Sequence, residues 1–121
     1  VRIKGGLLGH WSVWTRSAVA LLERLRAAAA LRSIEPALLA LDAKVTDANG
    51  AFFDAANGFR GCIAGCHEVL RRQGLLEGIW CLNPQEGLSP GQSEEIDRVC
   101  RVHADLSDDA FVKDNLQKWL A

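Results

Sequence analysis

Methionine is absent from this 121-residue chain, and cysteine occurs four times. The first residue is Val1, so no ordinary translation start is visible, and the expectation is a piece of a longer protein. Without methionine no thioether can serve as an axial haem ligand. The four cysteines (Cys62, Cys66, Cys81, Cys100) are too sparse for the disulfide framework of a small secreted domain and read as reduced thiols. Neither sign of charge dominates: 14 lysines and arginines stand against 15 acids, so no net field selects nucleic acid or an anionic membrane as partner. No apolar run approaches the roughly 20 residues of a membrane span, and no secretory leader pattern opens the chain, which points to a cytoplasmic location.

Apolar residues make up 49% of the chain and charged residues 24%, the composition of a folding globular unit with no internal repeat or low-complexity linker. Residues 1–11 pair a β-branched stub, "VRIK", with backbone-permissive "GGLLG", and suit a short strand followed by a glycine-rich turn. From 12 to 32 the chain is rich in Ala, Leu and Arg, and Trp14, Val19, Leu22 and Leu25 recur at helical spacing. A second helix is predicted over 36–56, where Leu38, Leu41, Val45, Ala48 and Phe52 step by three and four behind a first-turn proline. A third is predicted over 60–73, with Arg71 and Arg72 at its negative end and Gly74 as the left-handed cap. An apolar loop fills 74–89. Ser89, Pro90 and Gln92 then open a helix over 90–104 as a capping box, and Ser107 caps a last helix over 108–120. The chain as it stands is therefore all-α, about five helices behind a strand stub.

Three groups of residues invite a chemical reading. "GCIAGCH" resembles a haem attachment site, but Ile63, Ala64 and Gly65 place three residues between the cysteines where the signature has two. On a helix Cys62 and Cys66 share a face while His67 points about 100° away, so these three do not converge. Joining Cys62 and Cys66 to Cys100 and His103 supplies the ligand types of a tetrahedral zinc site, without the usual loop spacing. Lys4 and His10 flank the glycine-rich turn, where a strand-edge charge and a turn residue are the simpler account. Trp11 and Trp14 read as packing groups, Arg71 and Arg72 as a solvated helix end, and Glu94, Glu95, Asp108 and Asp109 as first-turn acids favoured by the helix dipole. No nucleophile, base and orienting acid are set out along the chain, and no cofactor or resident metal is expected.

The order of elements from Gly5 onward resembles the C-terminal third of the dihydrodipicolinate synthase and N-acetylneuraminate lyase family, Schiff-base aldolases built on a (β/α)8 TIM barrel. The resemblance rests on the glycine-rich stretch after a strand, on "WTRSAVALLERL" as the helix after the eighth strand, on "LLALDAKVTDANGAFFDAANGFRGCIAGCHEVLRRQGLLEG" as paired appended helices, and on "LSPGQSEEIDRV" as the turn into a terminal helix. It implies an α/β barrel parent acting on pyruvate or a related keto acid bound as an imine to a lysine, with a tyrosine relaying protons. Homo-oligomers are implied too, with this segment contributing to an interface. The family lysine and tyrosine lie on the sixth and fifth strands. The chain has no tyrosine, and Lys4 is followed by a long helical run where two further strand and helix units would be needed, so no catalytic residue is carried over. Gly5, Gly6 and His10 are the residues the layout puts at the barrel mouth, where they would touch substrate. The rival expectation is a stand-alone helical interaction module, in one version stabilised by zinc.

Overall fold

A computed structural model describes residues 9–31 and 34–121. Among the described residues the fold is all-helical, with five α-helices and no strand. Helix α1 spans Thr15–Leu31, α2 Pro36–Phe52, α3 Cys62–Arg72, α4 Gln92–Val102 and α5 Asp109–Leu120. Short 3-10 turns occupy Gly9–Ser12, Ala55–Asn57 and Ala104–Leu106. The predicted strand at Val1–Lys4, with Gly5 and Gly6, lies outside the described residues.

The core forms where α2, α3 and α4 meet: Ala48, Ala51 and Phe52 from α2, Val69 from α3, and Ile96 and Val99 from α4 close around Val13 and Trp14. Trp14 meets Phe52 edge to face at 4.9 Å between ring centres. That contact explains why the first helix starts at Thr15 and not at residue 12. Trp14 takes a left-handed backbone (φ 50°) that turns its indole inward, which an α-helix begun earlier could not do.

The second helix likewise stops short, at Phe52 instead of residue 56. Asp54 and Gly58 adopt left-handed conformations (φ 58° and 64°), and so does Phe59 (φ 66°). The compensation is a buried polar knot. The Asp54 carboxylate accepts the Gly61 N–H (2.9 Å), the Asn57 side-chain amide (2.7 Å) and the Ser89 hydroxyl (2.6 Å). Gln92, itself buried, donates its amide to the carbonyls of Gly61 (3.0 Å), Ala51 (3.3 Å) and Phe52 (3.4 Å). With these groups satisfied the irregular segment costs little to bury.

Gln92 also accepts the Ser89 N–H at 3.0 Å, which is one arm of a capping box. The other arm is diverted, because the Ser89 hydroxyl goes to Asp54 and Gly91 (φ 81°) turns the chain just before α4. The helix therefore begins at Gln92, two residues later than its Ser-Pro signal. At the end of α3 the Gly74 cap is complete. Gly74 is left-handed (φ 80°), its N–H reaches the Arg71 carbonyl (2.9 Å), and Leu75 N–H reaches Leu70 (3.0 Å), the two bonds of a Schellman motif.

Candidate functional site: the open face of α1 and α2

Helix α1 is held mainly at its start. Among its seventeen residues Ala18 is buried, whereas Val19 and Leu25 are each 44% exposed and Leu31 is 74% exposed. Its alanines and leucines make it a good helix, yet most of its apolar side chains have nothing packed over them. Leu21, Leu22 and Leu25 face Leu38, Leu41 and Val45 of α2 across a groove of about 280 Å³. Among the described residues Asp42 is the one charged side chain on its wall. Ile34 and Leu39, near the start of α2, are both about 70% exposed. Contiguous exposed apolar surface of this kind marks a place where something packs.

His10 lies in the turn Gly9–Ser12, close in sequence to Trp11, which lines one end of the groove. Gly5 and Gly6, named with it as substrate-facing residues, fall outside the described residues.

The zinc quartet does not assemble. Among the described residues no three His, Cys, Asp or Glu side chains are grouped to hold a metal. Cys62 and Cys66 lie on α3 and Cys100 packs against the core from α4. His103 ends α4, and its Nε2 is 2.7 Å from Asp47 Oδ2. Asp47 also accepts both Arg98 guanidinium nitrogens (2.9 and 2.7 Å), tying α2 to α4. Arg98 and then His103 hold the Asp47 carboxyl far below the usual aspartate range. A histidine engaged in that way is a structural brace.

Arg71 and Arg72 lie exposed at the end of α3, as the sequence suggests, and are paired there as well. Both grip Glu68, whose side chain is 5% exposed, at 2.7 Å, and Arg72 continues to Asp97 on α4. Arg71 holds the Glu68 carboxyl below its ordinary value, burial works against it, and Arg72 adds to the lowering. Asp108, read as a first-turn acid of α5, instead bonds away from its own helix, to the Arg16 backbone and to Gln73. Sequence reasoning missed Asp54 altogether; its place just after two phenylalanines and before an Asn-Gly turn was the available signal.

No known family model matches the chain, and no solved structure matches it. A-kinase anchor protein SPHKAP of Mus musculus is similar to it, 38% identical over 72 aligned residues that make up 54% of this chain. The chain spans about 4% of the length of that relative.

Proposed function

We propose that this chain is the C-terminal helical part of a Schiff-base aldolase or lyase of the dihydrodipicolinate synthase type, whose parent barrel acts on pyruvate or a related keto acid in the cytoplasm. The observation that carries this is the open face of α1. In the resembled layout α1 follows the last barrel strand and must lie on the barrel, so its leucines should be uncovered once the barrel is taken away. Leu25 and Leu31 are exposed and Leu21 and Leu22 half-buried, while α2, α3 and α4 close a core of their own.

The division of labour follows. The barrel supplies the lysine that forms the imine and the tyrosine that moves protons, and the present segment brings Gly5, Gly6 and His10 to the rim of the substrate mouth. Helix α1 seals the outer wall of the barrel, and α2 to α5 serve the packing between copies in a homo-oligomer. The segment alone is inactive.

The test is a borohydride trap on a parent protein that ends in this sequence. With pyruvate present, reduction should fix one adduct on one lysine outside residues 1–121. A parent that binds no pyruvate covalently on any lysine, or one without alternating strands and helices upstream, would sink the reading.

The second reading is a self-standing interaction module, and the specific observation in its favour is the similarity to a protein whose name is that of an anchoring protein. In that case the α1 and α2 groove receives a partner helix. Thermal melting separates the two. A module unfolds cooperatively on its own, whereas a barrel remnant exposes its leucines, binds a hydrophobic dye and aggregates.

A further inference from the structure

A second concavity, of about 620 Å³, is lined by both Cys62 and Cys66 together with Ser12, Phe53, Phe59 and Ile63. The two thiols are free and half-buried, one helical turn apart on α3, a spacing that brings their Cβ atoms to about 5–6 Å. The Ser12 hydroxyl donates to Cys66 Sγ at 3.5 Å. On the same wall His67 Nδ1 is buried without a hydrogen-bond partner. An orphaned buried nitrogen is uncommon. Burial raises the Cys66 thiol above its ordinary value.

We propose that Cys62 and Cys66 form a two-coordinate site for a soft, thiophilic cation, copper(I) being the probe of that class. The ligand count selects the metal. No third His, Cys, Asp or Glu joins the pair among the described residues, which fails zinc's need for four ligands but suits a d10 ion content with two thiolates. Binding exchanges two S–H bonds for two S–Cu bonds, releases two protons to water and changes no oxidation state. Phe53, Phe59 and Ile63 supply the apolar part of the lining.

The experiment is an oxygen-free titration of the full 121-residue chain with copper(I) against a coloured copper(I) chelator. One ion per chain should be retained, with thiolate-to-copper absorption in the ultraviolet. Cys62→Ser and Cys66→Ser remove a direct ligand and should each weaken retention on the order of a hundredfold or more, beyond the loss typical of a supporting residue. Cys81→Ser and Cys100→Ser should leave it unchanged. Failure to retain copper(I), retention that survives both α3 variants, or dependence on Cys81 or Cys100 overturns the proposal. A measurement on the unaltered chain guards against variants that do not fold. Phenylarsine oxide condenses with two neighbouring thiols, forming two As–S bonds with loss of one water, and peptide mapping should find it bridging Cys62 and Cys66. A bridge elsewhere, or no bridge, also overturns the site.

Discussion

The Asp108 carboxylate accepts the backbone N–H of Arg16 at 2.9 Å, across 92 residues of sequence. Arg16 is the second residue of α1, whose first turn carries no acid of its own, so a side chain from the start of α5 caps the helix from outside. The other Asp108 oxygen accepts the Gln73 amide at 2.8 Å, and the Ser17 hydroxyl donates to the Ser107 carbonyl at 3.3 Å. One contact region thus anchors α1, the end of α3 and the start of α5.

Replacing that carboxylate should loosen α1 before anything else. Asp108→Ala is expected to cost about 1–2 kcal/mol, the range of a lost N-cap. Because little of α1 beyond Ala18 is buried, hydrogen exchange should rise through Arg16–Ala20 well ahead of the amides of α2 and α4. Equal acceleration in all three helices would show that Asp108 supports the whole fold and not one helix end.

Two helical glycines should respond in opposite directions to the same change. Gly50 in α2 has open space where a Cβ would go, so Gly50→Ala should stabilise the protein by about 0.5–1 kcal/mol through helix propensity. Gly65 in α3 lies against the Phe52 carbonyl and the Gln92 amide, and a Cβ there would overlap both. Phe52 is main chain and Gln92 is bound to three carbonyls, so neither can move aside. Gly65→Ala should cost about 1–3 kcal/mol despite the same propensity gain, read as a fall in the urea midpoint.

Glu68 supplies the pH dependence. Its folded pKa is lowered from the ordinary 4.5, with Arg71 the first cause, so its contribution is fully present above 4.5 and is lost as pH falls through the lower folded value. Glu68→Gln should cost about 1–3 kcal/mol at pH 7, because it leaves Arg71 and Arg72 facing a neutral amide. The gap between the two proteins should narrow steadily below pH 4.5. Denaturant melts at a series of pH values check this, and a gap that stays constant down to pH 2 would assign the loss to packing.

Leu25 tests whether the α1 face is meant to be covered. In the chain alone its side chain is 44% exposed, and Leu25→Asp should change stability by no more than about 0.5 kcal/mol. In a parent where α1 lies on a barrel, the same change buries a carboxylate and should cost several kcal/mol or prevent folding. Equal mild effects in both proteins would leave α1 exposed in both and count against the barrel.

How much of this was legible follows from the range of each signal. Five helices were readable because apolar spacing, capping residues and propensity act within a few neighbours. The Schellman end of α3 is the clearest case: Gly74 is free to turn left-handed, and both closing bonds lie within six residues. The start of α1, the stop of α2 and the start of α4 were misplaced by three, four and two residues, each where a distant partner outbid the local signal. Trp14 turns inward for Phe52, and the Ser89 hydroxyl leaves its own helix for Asp54, 35 residues away.

The site residues divide the same way. Periodicity along the chain is enough to put apolar stripes on α1 and α2 and Cys62 and Cys66 on one face of a helix, since both are consequences of a 3.6-residue turn. Packing between helices sets the rest: the α1 stripe stays open, His103 is committed to Asp47, and Arg71 and Arg72 pair with a buried Glu68. Those outcomes depend on which charges and surfaces meet across the fold, and periodicity along a chain holds no record of that.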